Sequence, residues 1–416
     1  MKVKQPIMSF LLCLVVFISG CECLPPKPLK VNESKLVTPY VTSAAAQLPN
    51  AENACVKSDF SEIAICTVDA SDLLSRSEIK LVGFSDDRKA IFLNIITGQT
   101  TQIDLLTKEE NALISIPNHK RNRLNEYSDG KWIAWVETEE EVVDLDSGIG
   151  KDWSLWAANL EDGEAKLLDC ENDNFPKDRH FYAAPDLFDI CSPYLAYHGI
   201  YADSTDVYRA IVLCNMKTGE RKVLACEPLD SGRAFGAPVF TESHLYFGCG
   251  YCDPTDAAVK DNEIFQYEIS SGILRTIDNP YDSVFSDASE QYLVAEIPWR
   301  TDKQTTEIAI FDIKKGEWIR TLDQNSSFLL DSVGEKALFW LYNPTVSNSY
   351  VAFCCPTYQQ HCLVYDIKEN NFYLLSTNKA RDYPDSAVFY NDVLFWSGVS
   401  SADKSDSSWA KFTVFK

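Results

Sequence analysis

Short stretches of alternating apolar and polar residues recur along the chain, and polar turns separate them. Six of these stretches have the same form: a strand, a turn and a second strand. They read IFLNIITGQTTQIDL (91–105), LWAANLEDGEAKLLD (155–169), IVLCNMKTGERKVLA (211–225), IFQYEISSGILRTID (264–278), IAIFDIKKGEWIRTL (308–322) and LVYDIKENNFYLLST (363–377). The turn carries glycine in five copies and Asn370 in the sixth, and these two residue types adopt a positive φ most easily. Each copy is therefore predicted to be an antiparallel hairpin.

A further apolar strand precedes most of these hairpins. It reads DGKWIAWVE (129–137), SPYLAYHG (192–199), SHLYFGCG (243–250), EQYLVAEIP (290–298), NSYVAFCCP (348–356) and NDVLFWSG (391–398), and EIKLVGFSD (78–86) is the nearest equivalent in the first copy. No stretch keeps a 3.6-residue apolar period, so few helices are expected. A β-sandwich also contains hairpins, but it has no reason to repeat one phrase six times in order. The pattern predicts an all-β fold, a β-propeller of four-stranded antiparallel sheets.

The spacing of the repeats favours seven blades, with six or eight still possible. The turn recurs about every 54 residues, so the copy after Asn370 would fall beyond the C-terminus. The last blade should therefore lack its outer strand. Propellers often close by borrowing such a strand from the N-terminus, and Ile63-Ala64-Ile65 or Leu36-Val37 is predicted to supply it.

Two adjacent segments resemble a known repeat. EYSDGKWIAWVE (126–137) followed by LWAANLEDGEAKLLD is similar to the TolB-type propeller repeat, which is also WD-repeat-like. That family has Ser-Pro-Asp-Gly before the strand, whereas Ser128-Asp129-Gly130 lacks the proline. As architecture the resemblance runs from about residue 62 to 416, and at motif level it is close only in the second copy. It implies a propeller and no particular activity.

The first residues read as an export signal. Lys2 and Lys4 precede an apolar run that is shorter than the roughly 20 residues needed to span a bilayer. The run ends in Ile18-Ser19-Gly20-Cys21, which resembles the lipobox of bacterial lipoproteins. The resemblance implies cleavage before Cys21 and attachment of lipid to its thiol. The alternative is an ordinary secretory cleavage site with a cysteine nearby.

This interpretation divides the chain into three parts. We predict a lipoprotein signal peptide over residues 1–20, an extended, proline-containing tether over 21–54 and the propeller domain over 55–416. Glu22 stands where an Asp would resemble an inner-membrane retention signal. The expected location is therefore the cell envelope, lipid-anchored, with the outer membrane favoured.

The charge balance narrows the choice of partner. The chain has 38 Lys and Arg against 61 Asp and Glu, a formal net charge of −23. Nucleic-acid binders need a basic face, so nucleic acid is not an expected partner. Attachment to a membrane would depend on the lipid alone. An envelope protein or peptide is the expected partner, and a polysaccharide is possible.

The chain contains 14 cysteines, and an exported protein commonly pairs them in disulfides. The candidate local pairs are Cys249 with Cys252, Cys354 or Cys355 with Cys362, and Cys55 with Cys66. A zinc site is the alternative, because CGYC and CCPTYQQHC with His361 contain zinc-binding residue types. The second segment lacks a usual ligand spacing, so disulfides are favoured.

Two groups of residues are candidates for a site. Three histidines, His180, His198 and His244, could converge near the channel, as in metal-dependent pectin lyases built on propellers, although packing histidines are the favoured interpretation. Asp144, Asp146 and Asp152 resemble part of a calcium loop. No cofactor is expected, and calcium is the one exception considered.

The sequence contains no Gly-x-Ser-x-Gly elbow, no His-Glu-x-x-His and no phosphate-binding glycine loop. The leading hypothesis is a non-catalytic protein- or peptide-binding module or scaffold. A further possibility is a structural member of a larger envelope complex. The alternative is a lyase or glycosidase acting on an envelope or external polysaccharide. A channel lined by Trp, Asp and His would favour the enzyme, and one filled by apolar side chains would favour the binding module.

Overall fold

A computed structural model describes most of the chain from Cys55 onward. The described residues are 55–57, 62–71, 78–86, 88–117, 122–139, 153–171, 185, 187–202, 206–251, 260–300, 305–323, 342–355, 361–375, 382–400 and 407–416. Residues 1–54, with the predicted signal peptide, lipobox and tether, lie outside this set. Within the described ranges no helix is long and apolar enough to cross a membrane.

The described strands group into seven four-stranded antiparallel units, the number that the repeat spacing favours. Unit 1 contains β3 (Ile79–Asp86), β4 (Lys89–Asn94), β5 (Gln99–Asp104) and β6 (Glu110–Ser115). Unit 2 contains β7 (Asn122–Ser128), β8 (Trp132–Thr138), β9 (Ser154–Asn159) and β10 (Ala165–Cys170). Unit 3 contains β11 (Phe188–Cys191), β12 (Tyr194–Ala202), β13 (Val207–Asn215) and β14 (Arg221–Pro228).

The next three units follow the same order. Unit 4 has a divided first strand, β15 (Arg233–Phe235) and β16 (Val239–Phe240), then β17 (His244–Tyr251), β18 (Lys260–Glu268) and β19 (Ile273–Ile277). Unit 5 contains β20 (Val284–Ala288), β21 (Tyr292–Arg300), β22 (Thr305–Asp312) and β23 (Glu317–Asp323). Unit 6 contains β24 (Tyr342–Val346), β25 (Tyr350–Cys355), β26 (His361–Asp366) and β27 (Asn371–Leu375). A 3-10 turn covers Leu229–Ser231.

Unit 7 joins the two ends of the chain. It contains β28 (Asp382–Tyr390), β29 (Val393–Ser400) and β30 (Ser407–Phe415), and its outer strand is β2 (Ala64–Asp69). Ala64 lies opposite Phe415, and the Thr67 and Thr413 hydroxyl oxygens are 3.1 Å apart. The closing strand is therefore the first of the two predicted from the sequence, while Leu36-Val37 lies outside the described residues.

A short extra strand precedes the closing strand. β1 (Cys55–Lys57) pairs in parallel with β27, on the outer edge of unit 6. The N-terminal part of the described chain thus contributes to two neighbouring units in succession.

Buried side chains pack between the sheets and hold the units in a ring. Among the described residues, a buried apolar cluster lies between each pair of neighbouring units. The cluster between units 7 and 1 includes Phe412 and Phe84, so the ring is closed by packing as well as by β2. Middle strands face a neighbouring sheet on both sides, and every residue of β8 is accordingly buried.

The repeat turns have the predicted positive φ, but one of them joins a different pair of strands from the others. Positive φ occurs at Gly163, Gly219, Gly272, Gly316 and Asn370, each between the third and fourth strands of its unit. Gly98 also has a positive φ, but it lies between the second and third strands of unit 1. In that unit the glycine turn at residues 95–98 joins the second and third strands, so EIKLVGFSD forms the inner strand instead of the second.

Candidate functional site

The inner strands of neighbouring units contact one another about the centre of the ring, where a propeller has its channel, and four of their side chains interact there. Tyr127 of unit 2, Asp189 of unit 3, Asp287 of unit 5 and Tyr390 of unit 7 form what we call the channel cluster. The Tyr127 hydroxyl donates a hydrogen bond to Asp189, and Asp189, Asp287 and Tyr390 interact electrostatically. All four keep some contact with solvent although protein surrounds them.

Both carboxylates of the channel cluster also connect neighbouring units. Asp189 accepts a hydrogen bond of 2.7 Å from the Phe240 backbone N–H of unit 4. Asp287 accepts hydrogen bonds from the Val346 N–H at 2.9 Å and the Thr345 hydroxyl at 2.5 Å, both in unit 6. These bonds join inner strands that share no sheet hydrogen bonds, so they fix the relative position of the units.

The linkage continues around the ring. The Thr345 hydroxyl accepts a hydrogen bond of 2.9 Å from the Phe389 N–H of unit 7. In the turns after the inner strands, Asp129 accepts hydrogen bonds from the Ser192 N–H and hydroxyl, at 2.8 and 2.5 Å. Glu290 accepts hydrogen bonds from Glu242 N–H and from the Ser243 hydroxyl. Polar side chains near the centre thus have a structural role that extends over units 2 to 7.

Burial shifts the protonation of the channel cluster. Burial is the main reason that the pKa of Asp189 rises to about 7, and the nearby charge of Asp287 adds to the rise. Burial likewise raises the pKa of Asp287 to about 6, although three hydrogen bonds oppose the effect. The pKa of Tyr127 is raised by burial and then by the charge of Asp189. Chemically, the cluster offers a carboxyl group that exchanges its proton near neutral pH.

This protonation should appear in the stability of the protein. Because the folded-state pKa of Asp189 lies above its ordinary value, the folded protein binds the proton more tightly than the unfolded chain does. The stabilisation is present at acidic pH and is lost as the pH rises through about 7. We expect Asp189→Asn to reduce the loss of unfolding free energy between pH values of about 5 and 8 by about 2 kcal/mol.

Denaturant unfolding at a series of pH values tests this expectation. Asp162→Asn, at an exposed turn, removes one carboxylate at the surface and serves as the matched control. Equal pH profiles for the Asp189→Asn protein and the unmodified protein would contradict the assignment.

The two described histidines of the sequence prediction occupy different places. His198 is the fifth residue of β12, with its ring 6.4 Å from the ring of Phe235. His244 is the first residue of β17, and its Nδ1 lies 2.8 Å from the Ser243 hydroxyl oxygen. His198 therefore lies four residues further along its strand than His244 does, which corresponds to a difference of roughly 13 Å along the strand direction. Neither histidine lies on an inner strand. His180 lies outside the described residues.

The cysteine candidates are spread over several units. Cys354 lies opposite Cys362 across β25 and β26. Cys249 is buried beside Arg233, and burial raises the pKa of its thiol to about 12. Cys66 is on β2 in unit 7, whereas Cys55 is on β1 at the edge of unit 6. Cys355 is the last residue of β25, and Cys252 lies outside the described residues.

The remaining candidates fall where the structure gives no description. Cys21 and the calcium candidates Asp144, Asp146 and Asp152 lie outside the described residues. Within the described ranges, no group of three or more His, Cys, Asp and Glu side chains is arranged to hold a metal ion.

Comparison with known proteins identifies the architecture. No protein-family model matches the chain, and no curated protein matches its sequence. A structure from a study of two prolyl endopeptidases matches with a TM-score of 0.52 at 10% identity, over 83% of this chain and 52% of that chain. The fold is a β-propeller. This propeller spans about half the length of that endopeptidase chain.

Other propellers are similar at lower TM-scores. The β-propeller domain of the trilobed protease from Pyrococcus furiosus, described as having an open velcro topology, matches with a TM-score of 0.49 at 11% identity, over 84% of this chain and 94% of that chain. TolB from Acinetobacter baumannii matches with a TM-score of 0.38 at 12% identity, over 81% of this chain and 78% of that chain. At these identities the likeness concerns the fold alone.

Proposed function

We propose that this propeller is a non-catalytic binding or scaffold module that takes up a protein or peptide of the cell envelope on one face of the ring. The observation that carries the proposal is the position of the long connections. Successive strands of a unit are antiparallel, so the connections leave alternately on opposite faces. On one face, called the turn face, lie short turns such as residues 192–193, 216–220 and 313–316.

The opposite face, called the loop face, receives the long connections. The longest are residues 139–153, 171–187, 252–259 and 324–341, each of which begins and ends at strand ends on that face. Connections that vary in length on a rigid scaffold are where binding residues most often occur. The loop face therefore has the greater capacity for specific recognition.

The centre of the ring supports the same function. Four carboxylates accept hydrogen bonds from neighbouring units: those of Asp129, Asp189, Asp287 and Glu290. These hydrogen bonds hold the strands that carry the connections in fixed positions. A preorganised surface loses less conformational entropy when a partner binds. We infer that the ring serves as a rigid frame for several small contacts.

The charge and the N-terminus complete the proposal. The net charge of −23 and the acidic segment 139–153 favour a partner with a basic surface. A lipid on Cys21 would attach the propeller to the envelope membrane, with residues 22–54 as the tether. We propose an exported, lipid-anchored protein, with the outer membrane as the favoured site.

The first test compares the two faces. Replacing residues 140–152 by a Gly/Ser segment of equal length should reduce the amount of co-purified envelope partner by at least about tenfold, which corresponds to about 1.4 kcal/mol. The matched control carries Lys217→Ser and Lys314→Ser at exposed positions of the turn face. The measurement is crosslinking in intact cells, affinity purification and quantitative mass spectrometry. Equal losses in both variants, or no reproducible partner, would argue against the proposal.

One observation favours a second candidate, a lyase or glycosidase acting on a polysaccharide. Asp189, whose pKa is raised to about 7, lies beside Tyr127 in the channel and could exchange a proton with a substrate. The purified protein would be incubated with envelope glycans, with and without calcium or manganese. Cleavage products that disappear with Asp189→Asn would support this candidate over the binding module.

A further inference from the structure

Two buried cysteines face each other in unit 6. Cys354 on β25 lies directly opposite Cys362 on β26. Both side chains are fully buried, within the apolar cluster between units 6 and 7. The Cys354 and Cys362 thiols are also hydrogen-bonded to each other, which together with burial raises the pKa of Cys362.

The hydrogen-bond pattern of the two strands places the Cα atoms of Cys354 and Cys362 close together. The Ile367 N–H donates to the Ser349 carbonyl oxygen at 3.1 Å, so residues 349 and 367 form a hydrogen-bonded pair. Hydrogen-bonded and non-hydrogen-bonded pairs alternate along an antiparallel ladder. Cys354 and Cys362 are five positions further along, so they form a non-hydrogen-bonded pair. In such pairs the Cα atoms are about 4.5 Å apart, within the range that a disulfide spans.

The same register rules out the other local choice. Cys355 follows Cys354 directly in the strand and therefore lies one register position away from Cys362. Its cross-strand partner is His361, not a cysteine. The sequence left Cys354 and Cys355 as equal alternatives, and the strand register separates them.

We propose that Cys354 and Cys362 form a disulfide that joins the second and third strands of unit 6 in the exported protein. This inference does not depend on the proposed binding face, but it rests on the proposed export of the protein, because disulfides persist in oxidising compartments. The oxidant would be a dithiol–disulfide oxidase of the export compartment or a small-molecule disulfide. One thiolate attacks the oxidant disulfide and releases one of its thiols, and the second cysteine thiolate then displaces the other. The two cysteines lose two protons and two electrons, and the oxidant disulfide is reduced to its two thiols.

Burial determines when this exchange takes place. The attacking group is a thiolate that must reach the oxidant, whereas both sulfurs are buried in the folded ring. The bond therefore forms before units 6 and 7 pack together. Once the sheet has packed, the same burial protects the bond from external reductants.

The test uses the full chain exported with its own N-terminus. The protein is denatured without reductant, its free thiols are alkylated, and its peptides are fragmented by tandem mass spectrometry. We expect a cross-linked peptide pair in which Cys354 and Cys362 escape alkylation and Cys355 is not part of that bond. Reductant added to the folded protein should leave this bond intact, and reductant added after denaturation should release both thiols.

Two variants distinguish the alternatives. Cys355→Ser should retain the cross-link, whereas Cys354→Ser should lose it and lower the midpoint of thermal unfolding by roughly 3–5 °C. The measurement on the unmodified protein stands even if Cys354→Ser fails to fold. Alkylation of both Cys354 and Cys362 without reductant, or a cross-link that persists in Cys354→Ser and vanishes in Cys355→Ser, would overturn the proposal.

Discussion

Val68→Pro is expected to lower the free energy of unfolding by about 3 kcal/mol or more, because it weakens the strand that closes the ring. Val68 lies opposite Phe412 in the ladder between β2 and β30. The Ala70 N–H donates to the Ala410 carbonyl oxygen at 3.0 Å, and the same kind of pair recurs two residues earlier. The Val68 N–H therefore points at β30, and proline would remove that donor. Denaturant unfolding of the full chain measures the effect.

A neighbouring proline provides the matched control. At Thr67 the backbone N–H points away from β30, towards the open edge of the sheet, where proline is tolerated. Thr67→Pro should cost much less than Val68→Pro, since it loses only the contact between the Thr67 and Thr413 hydroxyl groups. If the two variants unfold at the same denaturant concentration, β2 does not contribute its ladder bonds to closure.

Gly83→Ala should destabilise the protein by about 3 kcal/mol or more, because the inner strands of units 1 and 2 meet at this residue. A Cβ atom on Gly83 would lie 1.8 Å from the Ser128 carbonyl oxygen, which belongs to the backbone and cannot rotate away. Gly83 also has a φ of 153°, a conformation that alanine rarely adopts. One inner strand would have to move, which would disturb the junction of the two units.

Gly236→Ala tests whether the effect belongs to this site. Gly236 has no heavy atom within 4 Å of its would-be Cβ, and its φ is not in the left-handed region. We expect a change within about 0.5 kcal/mol for this control. Thermal and denaturant unfolding of both variants measure the difference. A Gly83→Ala protein as stable as the Gly236→Ala protein would mean that the two inner strands can separate without cost.

The repeated turns made the fold predictable from the sequence. Glycine or asparagine at one position of a strand–turn–strand phrase reflects a local backbone requirement, and local requirements are visible in a sequence. The closing strand could also be placed, because an incomplete last repeat needs a partner from elsewhere. Unit 1 was harder, since Gly98 satisfies the same turn requirement one strand earlier.

The channel cluster was not predicted, although the sequence contains a weak signal for it. Asp189 and Asp287 each stand five residues before a tyrosine, Tyr194 and Tyr292, that begins the second strand of the unit. Their hydrogen-bond partners are in the next unit, however, and a contact between units depends on the arrangement of the whole ring. The choice between Cys354 and Cys355 depended in the same way on strand register.

Closure of the ring by β2 also has a consequence for how the chain folds. Thr67 and Thr413 are separated by 346 residues, so β2, near the start of the described chain, pairs with β30, the last strand. Contacts of such long range form late, because the whole intervening chain must be ordered or looped out first. Units 1 to 6 can assemble during synthesis while unit 7 still has an open edge. The ring becomes a single cooperative structure only when β30 pairs with β2, and until then β2 is an exposed edge that other chains could pair with.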